Sequence, residues 1–131
     1  MTAKVLFTGK THITAGRDGA ARSADGFLDV KLAQPHPAAE NLFGAAWSAC
    51  YIGAIQLAAG QQKVTLPVEP SVDAEIDLVN EAGAFFLRAR LDVSLPGVDR
   101  EVAQRLIEAA HGICPYSKAV HGNIDVTTTL A

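Results

Sequence analysis

Two cysteines, Cys50 and Cys114, are the residues of this sequence best suited to chemistry. A thiolate is a nucleophile, and two thiols that meet can cycle between a reduced pair and a disulfide. The two lie 64 positions apart and form no CxxC motif, so spacing alone neither pairs them nor indicates a thioredoxin-like site. Redox chemistry and inert core cysteines both remain open at this point.

The local settings of the two cysteines differ. Cys114 precedes Pro115, where a helical pattern stops, and the residue before a proline favours extended geometry while proline can open a helix. Backbone amides at a helix mouth lower a thiol's pKa. We therefore expect Cys114 at a helix edge, outside the packed interior. Cys50 lies within an apolar helical pattern, where a free cysteine is most often a small buried hydrophobe.

Other kinds of site find little support. His111-Gly-Ile-Cys114 has metal-ligand residue types but no complementary second pair, so no zinc site is predicted. P-loop, GxGxxG and GxSxG patterns do not occur. The net charge is -3 without a Lys/Arg run, which argues against a nucleic-acid partner.

The patterns also argue against export and membrane insertion. The N-terminus lacks the apolar core of a signal peptide. The longest apolar stretch, Ala45 to Ala59, falls short of the roughly 20 residues that cross a bilayer. With only two cysteines and no export signal, the sequence predicts a protein of the reducing cytoplasm.

The elements that must hold the cysteines predict one α+β domain over residues 1–131. Period-2 alternation predicts strands at 4–8, 11–14, 27–32, 72–78, 85–95 and 124–130. Turns are predicted at 16–19, 25–26 and 80–83, and a break at 34–37. Helical patterns cover 40–60 and 99–111, the second with Asp99 as N-cap and Gly112 as terminator. In the first helix the apolar stripe is read as Leu42, Ala46, Cys50 and Leu57, and apolar residues on other sides predict a central position.

Three segments together resemble a known family. AAHGICPYSKAVHGNIDVT resembles the C-terminal cysteine motif of organic hydroperoxide resistance proteins in the OsmC/Ohr family. ENLFGAAWSACY is similar to the family's other cysteine motif, with a glutamate ten residues before the cysteine. AGRDGAARSADGFLDVKL resembles the N-terminal arginine turn. The segments occur in the family's order and span nearly the whole chain. One departure is Ala38-Ala39, where an Asn-Pro pair is usual, and the connection that precedes it is shorter.

The resemblance implies a role for each of four residues. Cys50 corresponds to the peroxidatic cysteine, Cys114 to the resolving one, Arg17 to the thiolate-stabilising arginine and Glu40 to the glutamate that pairs with this arginine. A guanidinium within about 4–6 Å lowers a thiol's pKa by about 1–3 units. Ten helical residues separate Glu40 from Cys50, about 15 Å, so Glu40 can act only through Arg17.

The implied fold is an OsmC-like α+β homodimer, intertwined, with antiparallel sheets wrapped around central cysteine-bearing helices. The implied activity is reduction of organic hydroperoxides to alcohols through a Cys50 sulfenic acid and a Cys50–Cys114 disulfide. An external dithiol, a lipoylated protein by resemblance, restores the thiols without metal or bound cofactor. The alternatives are the sister OsmC branch with broader peroxide use, and a redox sensor or apolar-ligand-binding dimer without turnover.

Overall fold

The computed structural model describes residues 3–16, 19–33 and 38–131. Contacts between residues divide the chain into two compact units. One unit comprises residues 1–39 and the other residues 40–131. The single domain over residues 1–131 stays a prediction. Three predictions fall wholly or partly outside the described residues: Arg17, part of the turn at 16–19, and the break at 34–37.

The N-terminal unit contains a three-stranded antiparallel sheet in the order β1-β2-β3, formed by Thr11–Thr14, Ala20–Ser23 and Asp29–Lys31. The predicted turn between β2 and β3 is confirmed. The carboxylate of Asp25 accepts a hydrogen bond of 3.0 Å from the Phe27 N–H, and Gly26 has a φ of 80°. That backbone conformation favours glycine.

The strand predicted at residues 4–8 is wrong. These residues adopt no regular structure, and Val5, Leu6 and Phe7 are 77%, 87% and 82% exposed. An apolar run becomes a strand only where another strand satisfies its backbone groups. No strand among the described residues pairs with residues 4–8.

The C-terminal unit holds the remaining elements: α1 (Ala39–Gln61, which begins one residue before the boundary), β4 (Ser71–Glu81), β5 (Ala84–Ser94), α2 (Arg100–Ile113), α3 (Pro115–Val120) and β6 (Asp125–Leu130). The predicted 80–83 turn joins β4 and β5. Ala82 and Gly83 have φ values of 53° and 87°, and the Asn80 side chain accepts a hydrogen bond from the Gly83 N–H. Two successive positive φ angles are typical of tight hairpins.

The second sheet is mixed, which corrects the expectation of antiparallel sheets. β4 and β5 are antiparallel, but β6 runs parallel to β5. The chain reaches β6 through α2 and α3, and a crossover of a dozen or more residues is what parallel pairing requires. The α+β class is confirmed.

The core of the C-terminal unit is formed mainly by α1, β5 and α2, with Trp47, Tyr51, Ile55, Leu91, Val93, Leu106 and Ile107 among its buried side chains. The stripe predicted for α1 is not the buried face, since Leu57 is 53% exposed. Because α1 is apolar on several sides, its periodicity does not select a face. The packing of β5 and α2 selects it.

By length and composition alone, α1 could cross a membrane, and it is the only such helix among the described residues. The sequence-based estimate counted too short a stretch, because the helix continues on both sides of Ala45 to Ala59. Core helices of water-soluble proteins meet the same criterion, and α1 buries seven residues within the chain.

Candidate functional site

The structure brings the sulfurs of Cys50 and Cys114 together, 3.1 Å apart. Cys50 lies in the middle of α1, and Cys114 lies between α2 and α3. Both thiols are free. A disulfide requires about 2.05 Å between its sulfurs, so bond formation needs a closure of only about 1 Å. The pair can therefore form a disulfide with a small local movement.

Local sequence signals hold Cys114 in place. The Asp99 side chain caps α2 by accepting from the N–H groups of Glu101 and Val102, as predicted. The helix ends at Ile113, one residue beyond the predicted Gly112. Cys114 is extended (φ -64°, ψ 117°), and Pro115 opens α3. One residue thus ends α2 and begins α3, which directs its side chain toward α1.

The exposure of the two cysteines is the reverse of the expectation. Cys114 is 0% exposed and belongs to the core, whereas Cys50 is only partly buried. A helix edge is buried when another helix covers it, and the α2–α3 joint lies against α1. Cys50 is the more accessible thiol of the pair.

Burial is the main cause that raises the pKa of the Cys50 thiol, and the adjoining Cys114 raises it further. Two thiols in contact lose the second proton with difficulty. The backbone N–H of Tyr116 lowers the Cys50 pKa. The N–H of Ser117 donates to the Cys114 sulfur at 3.4 Å. Within the part of the chain described, the balance of these effects raises the Cys50 pKa and favours the thiol over the thiolate.

A polar chain that the sequence reading missed lies beside Cys114. The indole N–H of Trp47 donates to Ser117 Oγ at 2.9 Å. Nδ1 of His111 lies 2.9 Å from the same oxygen, and its Nε2 lies 2.8 Å from Thr128 Oγ1. Ser117 is only 5% exposed. His111 and Ser117 stand three residues on either side of Cys114, a symmetry visible in HGICPYS that could have marked them.

Tyr51 is a second residue that sequence reasoning did not select. Its hydroxyl donates to the Ile107 carbonyl at 2.6 Å, and its ring lies 4.5 Å from the His111 ring. Burial, followed by the neighbouring Cys114, raises the pKa of Tyr51. Tyr51 therefore remains a neutral hydrogen-bond donor that joins α1 to α2. Burial lowers the pKa of His111 and so favours its neutral ring.

An apolar cavity of about 200 Å³ lies next to this region, lined by Phe43, Ala46, Trp47, Tyr116, Ala119 and Val120. Residues 43, 46, 47 and 50 recur at helical spacing and share one side of α1. The cavity and the Cys50 sulfur therefore lie on the same face of the helix.

The remaining predicted site residues are only partly located. Glu40 lies in the first turn of α1, where the helix dipole favours a carboxylate. Arg17 lies outside the described residues. The roles of Cys50, Cys114, Arg17 and Glu40 stay predictions. No group of three metal-ligating side chains occurs among residues 3–16, 19–33 and 38–131.

Comparison with known proteins decides the family. The family model described as OsmC-like protein matches residues 32–129, about three quarters of the chain. The chain belongs to the OsmC-like family. This OsmC-like chain is 42% identical over 137 aligned positions to the organic hydroperoxide resistance protein of Xanthomonas axonopodis pv. citri (strain 306), with coverage of 98% of this chain and 96% of the relative. The resemblance seen in the sequence motifs is confirmed.

Solved structures agree with the OsmC-like fold. The crystal structure of the organic hydroperoxide resistance protein OhrB of Bacillus subtilis is 36% identical, with a TM-score of 0.88 and coverage of 97% of this chain and 100% of that one. An organic hydroperoxide resistance protein from Elizabethkingia anophelis, crystallised with bound thiocyanate, is also 36% identical, with a TM-score of 0.88 and coverage of 98% and 99%.

Proposed function

We propose that this OsmC-like protein is a thiol peroxidase that reduces organic hydroperoxides to alcohols. The observation that carries the proposal is the 3.1 Å separation of the Cys50 and Cys114 sulfurs in a chain without CxxC spacing. The names of the relatives from Xanthomonas and Bacillus point to the same substrate class.

The reaction has two steps on the protein. The Cys50 thiolate attacks the terminal oxygen of the hydroperoxide, the O–O bond breaks, and the alkoxide takes a proton and leaves as the alcohol. Cys50 becomes a sulfenic acid. The Cys114 sulfur then attacks the Cys50 sulfur, the S–O bond breaks, and the hydroxyl leaves as water with the proton from Cys114. The partial exposure of Cys50 and the burial of Cys114 support this division of roles.

The apolar cavity beside Cys50 supports an organic substrate. Its aromatic and aliphatic lining from α1 and α3 would bury the hydrocarbon part of a hydroperoxide, worth about 0.8 kcal/mol for each buried methylene. Hydrogen peroxide has no hydrocarbon part and would gain no such binding energy from the cavity. A higher second-order rate constant for hydrogen peroxide than for tert-butyl hydroperoxide would favour the broader OsmC-type activity.

Recycling requires an external reductant. A dithiol reduces the Cys50–Cys114 disulfide to two thiols and becomes a cyclic disulfide, and we propose a lipoylated protein for this role, with no metal or bound cofactor.

We also propose a cytoplasmic homodimer. The exposed apolar side chains of the N-terminal unit, Val5, Leu6, Phe7 and Phe27, support an association with a second copy.

The decisive experiment is peptide mass spectrometry after one equivalent of tert-butyl hydroperoxide. A crosslink between the peptides of Cys50 and Cys114 is expected, and sustained NADH-coupled peroxide consumption is expected with a lipoyl reducing system. If the crosslink forms but peroxide consumption stops after one equivalent, the protein is a redox sensor. If no crosslink forms, the disulfide mechanism is rejected.

Arg17 is the proposed source of the positive charge that Cys50 needs. Arg17→Ala is expected to raise the pKa of Cys50 and to slow peroxide reduction at pH 7, because each unit of pKa costs about 1.4 kcal/mol, or tenfold in thiolate. Thiolate absorbance against pH and stopped-flow rates measure both effects. Arg22→Ala is the matched control, since Arg22 forms an exposed ion pair with Asp29 in the same unit. An unchanged rate for Arg17→Ala removes Arg17 from the site.

A further inference from the structure

The polar chain of Trp47, Ser117, His111 and Thr128 connects four elements around Cys114. Trp47 belongs to α1, His111 to α2, Ser117 to α3 and Thr128 to β6. The peroxidase steps use none of these side chains. Buried polar groups of this kind need their hydrogen bonds, so the directions of the bonds are informative.

The donors and acceptors available to these four side chains fix which group donates in each hydrogen bond. The Trp47 indole N–H can only donate, so Ser117 Oγ accepts it. If His111 carried its proton on Nδ1, Ser117 Oγ would accept twice and its own proton would have no acceptor among the described contacts. With the proton on Nε2, the Ser117 hydroxyl donates to Nδ1 and Nε2 donates to Thr128 Oγ1. The Trp47 indole, the Ser117 hydroxyl and both ring nitrogens of His111 are then paired.

The hydrogen bonds of this polar chain hold the first turn of α3 in place. The Ser117 side chain is tied to Trp47 and His111, while its backbone N–H points at the Cys114 sulfur from 3.4 Å. A shift of Ser117 would therefore move both the amide that holds Cys114 and the joint that carries it.

We propose that His111 is a positioning residue for disulfide formation, which accepts the Ser117 hydroxyl at Nδ1 and so keeps the Cys114 sulfur directed at Cys50. The inference rests on the proposed function and deepens it. It assigns His111 to the second step only. In that step Cys114 gives up its proton, the S–S bond forms, and the Cys50 hydroxyl leaves as water. Peroxide attack by Cys50 does not depend on the hydrogen bonds among Trp47, Ser117, His111 and Thr128.

Two variants of equal shape isolate the acceptor. His111→Asn places an oxygen close to the position of Nδ1, whereas His111→Leu places a methyl group there. Both lose the bond to Thr128 and the ring contact with Tyr51. We expect His111→Leu to slow disulfide formation about tenfold, as loss of one buried hydrogen-bond acceptor implies, and His111→Asn to restore most of the rate. The rate of Cys50 oxidation is expected to be unchanged in both.

The measurement is rapid mixing of the full chain with one equivalent of tert-butyl hydroperoxide. Acid quench and mass spectrometry count sulfenic acid and disulfide with time. Trp47 is the only tryptophan, so its fluorescence reports directly on the Ser117 bond. Accumulation of sulfenic acid in His111→Leu, with rescue in His111→Asn, supports the inference. Equal rates in Leu, Asn and wild type, or equal slowing in both variants, overturn it.

A second pair of variants protects against misfolding of His111→Leu. Thr128→Val removes the acceptor for the Nε2 proton, so the imidazole is no longer held with its bare Nδ1 toward Ser117, and disulfide formation should slow in the same direction. His111→Asn has no tautomer to fix and does not need Thr128. Thr127→Val is the control, because Thr127 is the exposed neighbour on the same strand. If Thr128→Val and Thr127→Val form the disulfide at the same rate, His111 does not act through these hydrogen bonds. Failure of the wild type itself to form the disulfide would instead reject the proposed function.

Discussion

Cys50→Ser is expected to abolish oxidation of the protein by organic hydroperoxides, including the first turnover. A serine hydroxyl has almost no anionic form at neutral pH and cannot replace a thiolate as nucleophile toward the O–O bond. Cys114 cannot take over, because it is 0% exposed at the α2–α3 joint and belongs to the core. This variant is therefore expected to lose the most activity.

The test is stopped-flow consumption of one equivalent of tert-butyl hydroperoxide, followed by intact-mass measurement. Cys50→Ser should keep its unmodified mass, and peroxide loss should match buffer. Thermal unfolding provides the control for folding. Retention of the initial oxidation in Cys50→Ser, together with its loss in Cys114→Ser, would falsify the assignment and make Cys114 the nucleophile.

Cys114→Ser is expected to give one rapid oxidation and then stop. Peroxide attack uses Cys50 alone, so the first equivalent of alcohol should appear at close to the wild-type rate. Without the sulfur 3.1 Å away, the sulfenic acid has no intramolecular partner. It should be trapped by a dimedone-type reagent and, without the trap, be oxidised by further equivalents of hydroperoxide to sulfinic and sulfonic acids, which a dithiol does not restore.

The readouts for Cys114→Ser are the dimedone adduct on the Cys50 peptide and the loss of steady-state turnover with a lipoyl system. Lys118→Ala leaves both thiols and the Ser117 hydrogen bonds in place and controls for disturbance of α3, since Lys118 is an exposed residue of the same helix. Continued turnover of Cys114→Ser would mean that an external thiol resolves Cys50 directly, and the intramolecular disulfide would then be dispensable.

Local signals in the sequence determined much of the scaffold. Asp99 predicts its own cap, the alternation around β4 and β5 predicts their pairing, and Pro115 predicts the break that begins α3. These features depend on neighbours within a few residues or on a single hairpin, so the sequence displays their causes directly. The motifs around the two cysteines also indicated the family, although spacing alone left the thiols unpaired.

Only the tertiary structure decided what depends on distant partners. Residues 4–8 have an apolar run but no strand within the described chain to pair with. β6 could be parallel or antiparallel until the α2–α3 crossover brought it beside β5. The buried face of α1, the burial of Cys114 and the chain from Trp47 to Thr128 all arise where helices and strands far apart in sequence meet. Burial and hydrogen bonding between such elements have no local signature, because neither partner alone specifies the contact.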